Sequence, residues 1–140
     1  VLKDASGNIN LKVVAGEQKG EFGMIKTQTA VNVFMIEADG EGVLDFDIPS
    51  NHESCIYLLD GEVKINDSET LSKGESQMVV FNTDGNSIKL ESTKQSKLIV
   101  LSGEPINEKV AQYGPYVMNT QTEILEAMRD YQQGKMGYLY

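Results

Sequence analysis

The sequence predicts an all-β sandwich or barrel followed by one C-terminal helix, and three observations predict it. From Ile9 to about Gly103, short apolar segments are punctuated by Gly, Asn and Asp at the spacing of consecutive short strands. Within several of those segments the apolar residues recur with a period of two. Beyond Gly103 the pattern passes through Pro105 and Pro115 to an apolar stripe at helical spacing. The 140 residues suffice for one domain, and 40% hydrophobic with 24% charged residues allow a core large enough to offset the entropy of ordering the chain.

Taken in order, Leu11, Val13 and Ala15 alternate with Lys12 and Val14, the pattern of a strand. In Val31 to Asp39 both parities carry apolar residues, Val33 and Met35 on one and Phe34 and Ile36 on the other, which predicts a central strand covered on both faces. Leu44, Phe46 and Ile48 alternate with Asp45 and Asp47, which predicts a half-buried strand. Ile56 to Leu59 and Glu62 to Asn66 flank Asp60-Gly61, a pair suited to the two positive φ values of a type I′ turn, so a hairpin is expected there. Gln77 to Phe81, Ser87 to Leu90 and Lys97 to Leu101 complete a set of roughly seven to nine strands, separated by Gly74, Asp84-Gly85-Asn86 and the polar stretch around Lys94.

The segment through Pro105 and Pro115 reads as irregular. Tyr113 to Met118 within it is expected to pack as a strap over a core, the alternative being a groove for a ligand or partner. Thr120 with Glu123 fits a capping box. Ile124, Leu125, Met128 and Tyr131 form one stripe, and Gly134 sits where a C-terminal left-handed residue belongs. A helix from about Gln121 to Gln133 follows, its stripe buried against the barrel or a partner. The expected organisation is one domain: a barrel over residues 1–103, a strap over 104–120, and a helix and tail over 121–140.

Twelve basic against 21 acidic side chains give a net charge of −9, which repels phosphate backbones, so direct nucleic-acid binding is not expected. No apolar run approaches the roughly 20 residues that cross a bilayer, so no membrane partner is expected. The sole cysteine, Cys55, cannot form an internal disulfide, and no secretory signal pattern is present; a reducing, cytoplasmic setting is the expectation. The chain begins at Val1 rather than Met, as a piece of something longer would. Asn66-Asp67-Ser68 matches a glycosylation acceptor, a match set aside in that setting.

Candidate chemistry is sparse. His52 is the only histidine, so no cluster of imidazoles can hold a metal, and a single cysteine excludes zinc sites of the Cys-cluster type. His52 follows Pro49 where barrel loops carry ligands and is a candidate binding contact, although we read it as a surface or loop imidazole held by a hydrogen bond. Cys55 is expected to point into the core as a small hydrophobe. Glu37, Asp39 and Glu41 share a parity, as do Asp45 and Asp47, and read as solvated strand faces rather than acid/base pairs. Gly16, Gly20 and Gly23 are too widely spaced for a phosphate loop. No catalytic, cofactor-binding or metal-binding residue is assigned.

Longer motifs carry a resemblance. Leu101-Ser102-Gly103-Glu104-Pro105-Ile106-Asn107-Glu108, Tyr113-Gly114-Pro115-Tyr116-Val117-Met118-Asn119-Thr120, then Glu123-Ile124, Asp130-Tyr131 and Gly134-Lys135-Met136-Gly137 closely resemble the C-terminal part of the pirin family. Val14-Ala15-Gly16-Glu17 with Gly20 resembles the start of that family's second domain, and the spacing of Pro49, His52, Tyr57, Leu58 and Gly61 resembles its cupin hairpin. The resemblance implies a cupin, a jelly-roll barrel or double-stranded β-helix, as the second half of a tandem-cupin protein. It implies that the family's iron site, three histidines and a glutamate, belongs to an N-terminal cupin domain absent from this chain. Of the first cupin motif Gly42 and His52 remain; Ser54 stands at the second histidine position, Leu58 and Leu59 near the acidic one, and Gly74 to Phe81 holds no histidine. A chain without a metal of its own is expected. Three roles follow from the resemblance: the partner of an iron-dependent, quercetin-opening dioxygenase half, a protein-interaction module of a transcription cofactor, or a purely structural cupin. Self-association of the isolated piece is expected if an apolar patch is left uncovered.

Overall fold

Alternation of buried with less buried side chains marks the longer strands of the barrel. In chain order the strands are β1 (Leu2–Lys3), β2 (Ile9–Ala15), β3 (Glu17–Gln18), β4 (Glu21–Phe22), β5 (Val31–Ala38), β6 (Gly42–Asp47), β7 (Glu53–Asp60), β8 (Glu62–Ile65), β9 (Glu69–Ser72), β10 (Met78–Val80), β11 (Ser87–Ser92) and β12 (Ser96–Gly103). A six-stranded sheet runs β1-β2-β5-β12-β7-β10 and a four-stranded sheet runs β6-β11-β8-β9, both antiparallel. These features come from a computed structural model in which residues 1–137 are described. The chain divides into two compact units, Val1–Pro105 and a second beginning at Ile106.

The inner faces of the two sheets share one core. Phe34, Ile36, Ile56, Leu58, Leu98 and Val100 line it from the larger sheet, and Leu44, Phe46, Val63, Ile65, Leu71, Ile88 and Leu90 from the smaller. Phe34 and Phe46 meet across the gap edge to face, with ring centres 6.3 Å apart and planes at 88°, the geometry that aromatic quadrupoles favour. This is the jelly-roll arrangement expected of a cupin. β5 is central as expected, but it is not covered on both faces: Phe34 and Ile36 are buried, whereas Val33 and Met35 are half-buried on the outer face; β6 buries Leu44 and Phe46 while exposing Asp45 and Asp47.

Two features differ from expectation. The sheets hold more strands than the alternation reveals, because β1, β3, β4 and β9 are short and polar and carry little period-two signal. Asp60-Gly61 is not a hairpin. β7 bonds to β12 and β10, whereas β8 lies in the other sheet against β11 and β9, so the pair is a corner between sheets. Only Gly61 has positive φ, +86°, and the Gln95 carbonyl and Ser96 occupy the space a Cβ would need. Ser96 Oγ accepts from the Glu62 N–H at 3.1 Å and clamps the corner. Paired positive φ values instead occur at Lys19-Gly20, which joins β3 to β4, and at Asn66-Asp67, which joins β8 to β9 with the Ser68 N–H donating to the Ile65 carbonyl. The glycosylation-like triplet Asn66-Asp67-Ser68 thus builds a tight turn.

In the second unit, Tyr113 to Met118 is not irregular: β13 (Ala111–Tyr113) and β14 (Tyr116–Met118) pair as a hairpin across Gly114-Pro115. The helix α1 (Gln121–Gln132) starts with the expected capping box, in which Thr120 Oγ1 accepts from the Glu123 N–H and Glu123 accepts from the Thr120 N–H at 2.8 Å. It ends at Gly134, φ +70°, with the Gly134 N–H donating to the Tyr131 carbonyl and the Lys135 N–H to the Asp130 carbonyl, a Schellman closure. The buried stripe is narrower than predicted: Ile124 and Ala127 are covered, whereas Leu125 and Tyr131 stand exposed. Among the described residues of its unit, α1 packs against the two-stranded β13–β14 hairpin, a narrow surface.

Candidate functional site

His52 enters the barrel where the chain turns from β6 into β7. Its N–H donates to the Pro49 carbonyl at 2.9 Å, which folds the turn and carries the imidazole inward. The side chain is 6% exposed, so the expected loop imidazole is a buried one. Nδ1 lies 3.2 Å from Ser102 Oγ, which accepts from Asn32 Nδ2 at 3.3 Å, while Asn32 Oδ1 accepts the Glu17 N–H at 3.1 Å. Adjacent strands place these groups: Ser102 pairs with Asn32 on β5 and with Ser54 on β7, all on the inward parity. Nothing in the alternation singles out Asn32, Ser54 or Ser102. The available signal is that each puts a polar side chain where its strand otherwise buries an apolar one.

His52 and Ser54 line a cavity of about 270 Å³ at this mouth, together with apolar walls from Ile48, Ile65 and Phe81 and a rim carrying Glu69 and Asp84. The cavity has no Lys or Arg in its lining. Its donor set does not suit an iron ion. It offers one imidazole with Nδ1 committed to Ser102, beside hydroxyls and amides, and the Glu69 and Asp84 carboxylates of the rim are not grouped with it into a set of three. Among the described residues, no three His, Cys, Asp or Glu side chains are grouped closely enough to hold a metal.

The remaining candidates lie elsewhere. Glu37, Asp39, Glu41, Asp45 and Asp47 are exposed, as the reading of solvated faces requires. Glu37 pairs with Lys97 across β5 and β12 at 2.5 Å, and the hydrogen bond and charge of that ammonium hold its carboxyl below the usual range. Gly16 and Gly20 serve turns. Cys55 does not point into the core: the buried parity of β7 is Ser54, Ile56 and Leu58, and Cys55 sits half-buried on the outer face with Tyr57.

That outer face is unusually apolar. The registers align Met35, Ile99, Tyr57 and Met78 in one cross-strand row and Val33, Leu101, Cys55 and Val80 in the next. Tyr57, Leu101, Met78 and Val80 are 40–65% exposed. A shallow hollow lined by Val33, Cys55, Val80, Leu101 and Pro105 runs along the second row. Apolar residues at both parities in Ile56 to Leu59 and Leu98 to Leu101 are the signal for it, the one already visible in β5.

Comparison with known proteins bears on this barrel. The sequence model of the Pirin C-terminal cupin domain matches residues 31–137. The chain is 31% identical over 139 residues to a pirin-like protein of Solanum lycopersicum and 30% identical over 140 residues to pirin of Homo sapiens, covering 99% of this chain and 48% of each relative. A crystal structure of quercetin 2,3-dioxygenase from Acinetobacter baumannii superposes with a TM-score of 0.88 at 30% identity, covering 100% of this chain and 48% of that one. The chain thus spans about half the length of the relatives it matches.

Proposed function

The chain belongs to the pirin family as its C-terminal cupin domain, and from that premise we propose that it is the non-catalytic half of an iron-dependent, quercetinase-like protein, packing on and completing an N-terminal cupin half that holds the metal. The observation that carries this reading is the pair of apolar rows on the outer face of the six-stranded sheet. Contiguous exposed apolar rows on one sheet mark a surface meant to be covered. A relative of about twice this length supplies a second half to cover it. The mouth around His52 supports the division of labour, because its one imidazole and two rim carboxylates, Glu69 and Asp84, are not grouped as a three-ligand set. The single cysteine supports a cytoplasmic setting.

Cys55 is the built-in probe, being the sole cysteine and lying in the second apolar row. In the isolated chain its thiol should react with a soluble disulfide reagent without denaturant. In the longer polypeptide carrying the preceding half it should be protected, and Leu101→Glu should restore its reactivity. Equal labelling in both lengths would sink the reading and would favour the alternative in which this face receives a separate protein, as an interaction module of a transcription cofactor would.

A further inference from the structure

We propose that the barrel mouth around His52 is a second, metal-independent binding site, for a small uncharged polyhydroxylated molecule. Buried polar side chains are almost always hydrogen-bonded. Two at this mouth have a polar atom without a protein partner. His52 is 6% exposed and its Nδ1 is taken by Ser102; Nε2 has no partner among the described residues. Ser54 is 8% exposed, and its hydroxyl has none either. No side-chain polar atom of the described residues is both sealed from solvent and unpartnered. Both atoms therefore open onto accessible space, and the space the two residues share is the 270 Å³ cavity.

The hydrogen-bond chain fixes what His52 presents. Ser102 Oγ accepts from Asn32 Nδ2, and the arrangement in which its own proton goes to His52 Nδ1 is the one that leaves that hydroxyl proton with a partner. A singly protonated ring then carries its proton on Nε2, so the site offers an N–H donor beside the Ser54 hydroxyl, which both donates and accepts. The rim adds the Glu69 and Asp84 carboxylates as acceptors and no cation, on a chain of net charge −9, which disfavours anions. Hydroxyl groups satisfy all of these at once, accepting from Nε2 and donating to the carboxylates. The apolar walls of Ile48, Ile65 and Phe81 suit the faces of a saturated ring. The volume lies just below the roughly 300–1,000 Å³ of most ligand pockets, which limits the site to a small molecule.

The single histidine makes the test direct. In the isotopically labelled 140-residue chain, a long-range proton–nitrogen correlation reports both ring nitrogens of His52. The free protein should show the proton on Nε2. Titration with myo-inositol or glucose should shift Nε2 and the Ser54 and Glu69 amides saturably, whereas acetate and inorganic phosphate should not. Ser54→Ala, which removes one hydrogen bond and little volume, should weaken inositol binding about fivefold. Ser102→Ala should give a mixture of ring tautomers; if it fails to fold, Ser54→Ala and the free-protein tautomer still decide. A proton on Nδ1, tighter binding of the anions, no effect of Ser54→Ala, or no saturable shift by either polyol, which would mean that water alone fills the cavity, would each overturn the proposal. None of these outcomes touches the labelling of Cys55, so this site and the domain-packing reading fail separately.

Discussion

Single residues hold this barrel where side chains meet across its sheets. Phe46 is 1% exposed and meets Phe34 edge to face. Phe46→Ala should therefore cost about 3–5 kcal/mol in urea unfolding; a loss below about 1 kcal/mol would mean that the two sheets are not packed through this pair. Gly61 is the corner residue at φ +86°, with backbone where a side chain would go. Gly61→Ala should destabilise by at least about 1–2 kcal/mol, from the left-handed strain alone. Asp4 supplies a pH signature. Its carboxyl lies below the ordinary 3.8, first because the Ser6 hydroxyl donates to it and next because the Ile9 N–H does, at 2.8 Å. A carboxyl lowered by folding stabilises the native state above its unfolded value and loses that contribution as the pH falls through the lower folded one. Acid unfolding below about 3.8 should thus be shallower in Asp4→Asn than in the parent; identical slopes would refute the linkage. His52 could be named from the sequence as a candidate, but its burial and its bond to Ser102 could not, since residues 50 positions apart meet only through strand pairing.

At the scale of elements, local rules were most legible where the signal is local. The capping box at Thr120 and the closure at Gly134 lie within the helix's own neighbourhood and form as their residue types require. Thr120→Ala should remove about 1 kcal/mol from the second unit, read as a lower melting midpoint of the helical far-ultraviolet signal; no change would show the cap to be idle. Asp60-Gly61 shows the limit of local rules. Asp-Gly is the strongest short hairpin signal, yet the strands on either side belong to different sheets because Val63 and Ile65 bury against the core from the four-stranded side. The same competition left Leu125 and Tyr131 exposed, since a stripe at helical spacing states which residues align and not how wide a surface meets them.

For the whole molecule, the two proposed tasks use different surfaces, the outer face of the six-stranded sheet and the barrel mouth around His52. Metal analysis of the purified 140-residue chain should find iron far below one ion per chain; stoichiometric iron lost on His52→Ala would refute the site reading. The sequence by itself determined the all-β class, the central place of Val31 to Asp39, the capped helix and the scarcity of imidazole and thiol side chains, because period, capping and composition are properties of neighbouring residues. Only the tertiary structure decided that Cys55 faces outward in an apolar row and that Ser54, Ser102, Asn32 and His52 converge at one mouth. Those facts depend on strand register, and register brings together residues that the linear chain keeps far apart.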